Sequence, residues 1–269
     1  MSSQPPFIQV GALAESFAPN SHSLAPRADL EGRTLALGFD DGTHETLIFD
    51  ADGRVRSRSG AHACRVTSLR DGIFLIDYVG GGDGGCPSTT SVVADLRLGL
   101  CTVVTGRLPD EDQTRVAAFT RVERGLPLTG VDVRIRHGRI EVKGANRDAP
   151  LHRPTVELVG MRNLYTYSKT ERYEHIYLNA DFYAWHCLSG AKSGLADVDR
   201  CHTVGIADKL YLFVWCEKII PTLGVLLIDL EQMKTDGKVF GYESGHFDSL
   251  SNFPVGAFAQ VLNVTTHPE

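Results

Sequence analysis

The feature that most constrains this chain is that it repeats itself. The stretch His44-Glu-Thr-Leu-Ile-Phe-Asp-Ala-Asp52 parallels Tyr173-Glu-His-Ile-Tyr-Leu-Asn-Ala-Asp181, with Glu45 on Glu174, Ala51 on Ala180 and Asp52 on Asp181. Cys64-Arg-Val-Thr-Ser-Leu-Arg-Asp71 then parallels Cys201-His-Thr-Val-Gly-Ile-Ala-Asp208. Val92-Val-Ala-Asp95-Leu96 parallels Leu226-Leu-Ile-Asp229-Leu230, and Thr105-Gly106 parallels Phe240-Gly241. The matches keep their order while the offset drifts from 129 to 137 and back to 134 or 135, as it would if loops gained and lost residues. Self-similarity of this kind reads as a duplicated domain. The expected organisation is an N-terminal barrel over 1–125, a structured connector over 126–154 and a C-terminal barrel over 155–269. Within the connector, Val131-Asp-Val-Arg-Ile-Arg and Arg139-Ile-Glu-Val-Lys alternate like a hairpin around His137-Gly138.

Each copy has a hydrophobic period of two. The apolar and β-branched runs 33–39, 45–49, 54–58, 65–69, 73–79, 88–96 and 100–105 fill the first copy. The runs 173–178, 182–187, 200–204, 210–217, 223–229 and 238–243 fill the second. Turn residues separate most of them, and Asp52-Gly53 is a strong hairpin signal. Residues 109–118 predict one short helix, with Pro109 at its start and the acidic run Asp110–Asp112 in the first turn. Residues 245–257 read as loop. Six to eight half-apolar antiparallel strands must close on themselves or pack face to face to remove their edges. At this copy length the expectation is all-β, two tandem calycin (lipocalin-like) barrels, with a β-sandwich as the alternative.

Composition narrows the function classes. With 27 Lys and Arg against 33 Asp and Glu, the net charge of −6 does not suit a nucleic-acid binder. No apolar run approaches a membrane span, and the opening residues lack the pattern of a signal peptide. Six cysteines without a CxxC pair read as free thiols. The expectation is a cytoplasmic protein that works on a small organic ligand, with no nucleic acid or membrane partner and a homodimer as the default assembly.

Chemistry concentrates in the second copy. Both tryptophans and six of the eight tyrosines fall between residues 165 and 215. Alternation puts Tyr173, His175 and Tyr177 on one strand face, Tyr183, Trp185 and Cys187 on the next, and Tyr211, Phe213, Trp215 and Glu217 in one row. Arg200 and His202 share a face of their own. If these rows meet inside a barrel, Tyr177, His186, Arg200 and His202 are the candidate catalytic groups. Tyr173, His175, Tyr183, Trp185, Trp215 and Glu217 are then the candidate ligand wall. Gly80–Gly85 lacks the phosphate-loop pattern, and neither HExxH nor Gly-x-Ser-x-Gly occurs. No metal or cofactor is expected, and Arg54, Arg56, Arg58 and Arg65 mark the first copy as the supporting one.

Several segments carry a family likeness. Tyr173-Glu-His-Ile-Tyr-Leu-Asn, Tyr183-Ala-Trp-His-Cys-Leu, Asp199-Arg-Cys-His, Leu210-Tyr-Leu-Phe-Val-Trp-Cys-Glu-Lys and Pro221-Thr-Leu-Gly-Val-Leu-Leu-Ile-Asp-Leu resemble the C-terminal domain of the MoaF-like family. Phe7-Ile-Gln-Val-Gly-Ala-Leu-Ala-Glu-Ser-Phe-Ala-Pro resembles its N-terminal region. The resemblance implies two lipocalin-like barrels. It also brings the family's customary label, molybdenum cofactor biosynthesis protein F, for which no phosphate loop or pterin motif speaks. The implied fold looks like that of phenolic acid decarboxylases, whose barrels orient and protonate small aromatic acids. Two function classes therefore stand: a cofactor-free lyase, decarboxylase or isomerase, and a non-catalytic carrier or sensor. A third, a structural module with a filled interior, requires no ligand.

Overall fold

The structure is a computed structural model and describes residues 8–17, 21–80, 86–141 and 148–266. The first element among the described residues is helix α1 (Val10–Phe17). Eight strands follow: β1 (Thr34–Phe39), β2 (His44–Phe49), β3 (Arg54–Ser57), β4 (Gly60–Arg70), β5 (Ile73–Gly80), β6 (Ser88–Asp95), β7 (Leu100–Arg107) and β8 (Asp132–Ile140). Neighbours in this order pair antiparallel, and β1 pairs with β8 to close the barrel. Closure satisfies the backbone groups that an open edge would expose. The inward residues are mostly aliphatic and pack into one core running from Leu30 and Leu35 to Val103 and Ile140.

Between β7 and β8 lie two short helices, α2 (Glu111–Arg115) and α3 (Ala118–Glu123). Asp110 caps α2: its side chain accepts from the Gln113 backbone N–H, while the Gln113 side chain accepts from the Asp110 N–H. Where one helix over 109–118 was expected, the chain turns extended at Val116 and starts again at Ala118.

The two-residue strand β9 (Arg153–Pro154) precedes the second barrel. That barrel comprises β10 (Met161–Thr166), β11 (Arg172–Tyr177), β12 (Phe182–Ser189), β13 (Ala196–Ala207), β14 (Leu210–Glu217), β15 (Thr222–Asp229), β16 (Lys234–Tyr242) and β17 (Leu250–Val264). Consecutive strands pair antiparallel, and β10 pairs with β17 to close it. Its core is aromatic rather than aliphatic: Tyr165, Tyr167, Tyr173, Tyr177, Tyr183, Trp185, Phe213 and Trp215 all point inward.

The two copies correspond strand for strand. Cys64 and Cys201 fall in the fourth strand of each barrel, Asp95 and Asp229 end the sixth, and Gly106 and Gly241 fall in the seventh. The local chemistry repeats as well. Asp95 Oδ1 accepts from the backbone of Arg97 and Leu98, and Asp229 Oδ1 accepts from the backbone of Glu231 and Gln232. Both carboxylates tie the β6–β7 type of turn. The preceding turns match too: Leu96 N–H donates to the Gly72 carbonyl and Leu230 N–H to that of Lys209. Gly72 and Lys209 both hold positive φ, at 77° and 53°.

Three expectations change. The stretch 131–140 is not a hairpin within a connector: Asp132–Ile140 is a single strand and supplies the eighth position of the first barrel. His137-Gly138 alternates through without turning, because β7 on one side and β1 on the other take up its backbone groups. Residues 250–257, read as loop, belong to the longest strand, β17, where glycine and proline hide the alternation. The compact units are also not sequential. One comprises 24–107 and 132–153; the other comprises 1–23, 108–131 and 154–269. Helix α1 thus packs on β16 and β17 of the second barrel, burying Val10, Leu13 and Phe17. Gly81–Gly85 and Val142-Lys143 lie outside the described residues. Among the described residues no helix is long and apolar enough to cross a membrane.

Candidate functional site

The second barrel encloses a hollow of about 40 Å³. Its wall comes from three sources. The strands contribute Tyr173, His175, Tyr183, Trp185, Trp215 and Glu217, with Val239 and Val255 opposite. Helix α1 closes one side with Leu13 and Phe17, and the β12–β13 turn sends in Lys192. Phe17 packs edge-on to Tyr167, ring centroids 5.0 Å apart, and lies 5.9 Å from both Tyr173 and Phe253.

A buried ion pair sits in this apolar box. Lys192 Nζ lies 3.0 Å from Glu217 Oε2, with the two side chains 4% and 10% exposed. The same ammonium stands 5.0 Å from the centroid of Trp185, a cation–π distance. The turn that carries Lys192 is held by Glu171. That carboxylate is fully buried, accepts from the Ala191 N–H at 2.8 Å and from the Ser16 hydroxyl of α1, and leaves Oε2 without a hydrogen-bond partner. Gly190 has φ +121°, and a Cβ there would overlap the Glu171 carboxylate, so glycine is required.

Behind Trp185 lies a third buried acid. Trp185 Nε1 donates to Asp199 Oδ2 at 2.8 Å, and the Lys218 backbone N–H donates to Oδ1 at 3.1 Å. Burial, reinforced by the Glu217 charge, pushes the Asp199 carboxyl up to about 6. His175, Tyr173 and Tyr183 are held neutral. Burial drives His175 down to about 3 and lifts the Tyr173 and Tyr183 phenols well above their ordinary value. Two polar atoms in the wall lack strong partners. His175 Nδ1 has none, and the Tyr173 hydroxyl has only the Cys187 thiol beside it, a weak hydrogen-bonding group. Deeper in, Asn163 donates to the Tyr165 hydroxyl at 3.1 Å, and the Tyr165 and Tyr177 hydroxyls meet at 2.7 Å.

All six residues expected to form a ligand wall line this hollow. The four expected to be catalytic do not gather there. Tyr177 is buried in the same core, but its hydroxyl is taken by Tyr165. His186 is on the outer face of β12, 3.9 Å from Glu174, which is itself paired with Arg162. Arg200 is outside β13 and pairs with Asp181 at 3.0 Å; His202 shares that outer face. The reason is register. On β13 it is Asp199 and Cys201 that turn inward, so their alternate neighbours Arg200 and His202 must turn out. Lys192, Asp199, Phe17 and Leu13 were not expected at the site. Asp199 could have been found from its alternation with Cys201, whereas no local pattern marks Lys192, whose partner lies 25 residues away.

Two larger hollows, each about 190 Å³, lie elsewhere. One, in the first unit, is bordered by Arg27, Arg54 and Cys64. Arg27 is already bound to Asp29, and Arg54 donates to the Ala61 carbonyl. Among the described residues, no group of three or more His, Cys, Asp or Glu side chains is placed to hold a metal.

Two closed eight-stranded barrels in one chain, the second with an aromatic interior around a buried ion pair, define a tandem lipocalin-like β-barrel protein. The MoaF N-terminal domain matches residues 5–110 and the MoaF C-terminal domain matches residues 152–265. The chain belongs to the MoaF family. It is 47% identical to Protein MoaF of Klebsiella aerogenes over 270 residues, covering 100% of both chains. A crystal structure of a Burkholderia vietnamiensis protein, provisionally assigned as a beta-lactamase, aligns 99% of its chain with 41% of this one at 13% identity. Its TM-score of 0.34 gives that likeness no weight for fold or function.

Proposed function

We propose that the second barrel binds a small polar organic molecule against the Lys192–Glu217 pair and acts on it by acid–base chemistry without a cofactor. The observation that carries this reading is the ion pair itself. Desolvating two charges costs several kcal/mol per ion, and apolar residues of similar volume commonly serve stability as well or better. A charge pair kept in the wall of a hollow is better explained by what the hollow receives. Lys192 would meet an anionic or carbonyl oxygen, Glu217 would take or return a proton, and the Tyr173 hydroxyl would donate to a ligand oxygen. Neutral His175 would offer Nδ1 as a fixed hydrogen-bonding partner. Asp199, held behind Trp185, is a positioning residue.

Size limits the ligand. At 10–15 Å³ per water, about 40 Å³ takes roughly three waters, whereas a cavity that takes benzene measures about 150 Å³. A molecule of a few heavy atoms fits as the wall stands, and an aromatic acid requires α1 to move.

The carrier reading is favoured by a different observation. At neutral pH, His175 and the phenols each stay in one protonation state, which suits groups that orient a ligand rather than shuttle protons. Both tryptophans of the chain line the hollow, so intrinsic fluorescence reports its occupancy. Titration with short carboxylic acids and carbonyl compounds, followed by NMR of the ligand after long incubation, separates the readings. Conversion supports the enzyme, intact ligand supports the carrier, and no fluorescence response to any of them removes both.

A further inference from the structure

We propose that Lys192 is a covalent site, whose amine condenses with a small aldehyde or ketone to form an iminium held against Glu217. The inference rests on the small-molecule reading above and deepens it by naming the functional group the hollow takes.

Lys192 is placed for such chemistry, in the wall of the hollow. It is withdrawn from water, faces the ring of Trp185 and touches one carboxylate at 3.0 Å. Glu217 Oε2 is placed to hold the proton that Lys192 must give up. The Tyr173 hydroxyl, without an oxygen or nitrogen partner, is a donor available to a carbonyl oxygen. The lysine is also fixed in position: Glu171 grips the adjoining Ala191 N–H, and Gly190 permits that close approach.

The step balances without an oxidant or reductant. Lys192 passes a proton to Glu217, and the nitrogen lone pair attacks the carbonyl carbon to form the C–N bond. The carbonyl π electrons move to oxygen. The oxygen collects one proton from Glu217 and one released by nitrogen, and leaves as water. In sum, an ammonium and a carbonyl give an iminium and one water. Glu217 ends as it began, a carboxylate facing a cation, so the same ion pair serves both the free and the loaded state.

The test uses the full chain incubated with acetaldehyde or pyruvate and sodium cyanoborohydride, which fixes an iminium as a stable alkyl-lysine. Peptide mass spectrometry should show Lys192 labelled faster than the exposed Lys169. In Lys192→Arg, which keeps a cation beside Glu217 but cannot condense, that adduct should be lost while labelling of Lys169 persists. Labelling of Lys192 no faster than Lys169 overturns the proposal. Tryptophan fluorescence separates the two levels: a response without an adduct overturns the iminium and leaves the binding site standing. Neither response nor adduct with any carbonyl overturns both.

Discussion

Trp185 Nε1 and Asp199 Oδ2 meet at 2.8 Å inside the second barrel, and this bond fixes the indole that faces Lys192. The carboxyl is raised to about 6 from an ordinary 3.8. A group bound more tightly to its proton in the folded state contributes stability below the unfolded value, and that contribution is lost as pH rises through the folded one. The stability difference between the native chain and Asp199→Asn should therefore fall between pH 4 and pH 7, by on the order of 3 kcal/mol. Urea denaturation of both proteins across that range measures it, and parallel curves would refute the assignment.

His175 works in the other direction. Its folded-state value of about 3 lies below the ordinary 6.5, so the unfolded chain binds the extra proton between them. The contribution is complete above pH 6.5 and is lost as the pH falls toward 3. Replacement by glutamine, which does not titrate, should flatten the acid limb of the stability curve by up to about 4 kcal/mol. His152 of the first unit, lowered to about 4, should leave a residual acid dependence in the variant.

For the ion pair, a double-mutant cycle is the decisive measurement. Lys192→Met alone strands the Glu217 charge and should cost about 3–5 kcal/mol, as should Glu217→Gln alone. The combined variant should recover most of that loss while abolishing ligand binding. Additive losses would mean that the two side chains do not depend on each other.

Gly224 stands opposite Trp215 across β14 and β15, and a Cβ on it would fall within the indole ring. Gly224→Ala should push Trp215 into the hollow. The expected result is an altered tryptophan emission and lost ligand response in a protein that still folds, at a cost of about 1–3 kcal/mol. An unaltered spectrum would show that the ring has room to escape.

Phe17→Ala should do the reverse. Removing a buried ring costs about 3–5 kcal/mol and leaves a void. Because Phe17 is part of the wall, the void joins the existing hollow. Benzene or phenol should then change tryptophan emission in this variant and not in the native chain.

The sequence carried the barrels more plainly than the site. Duplicate landmarks such as Asp95 with Asp229 exist because both copies need the same carboxylate at the same turn, and that need is local. Alternation placed Tyr173, Trp185 and Trp215 together because a strand leaves a side chain only two faces. It could not choose between the faces of β13. Asp199-Arg-Cys-His has a charged or polar residue on each face, and the inward carboxylate is tolerable only because Trp185 and Lys218 donate to it. Glycine and proline concealed β17, and Lys192 enters through a contact that no periodicity encodes.

Helix α1 gives the protein an unusual order of assembly. Residues 10–17 leave the ribosome early, but the strands they dock against, 234–242 and 250–264, come more than 200 residues later. At about 5–20 residues per second, the helix waits roughly 10–50 s for its seat. Throughout that interval the apolar side of the helix lacks its own barrel, and the first barrel completes before the second can be sealed. Anything fused just ahead of Val10 therefore meets the molecule at its last step of closure, where a bulky tag would disturb the second barrel rather than the first.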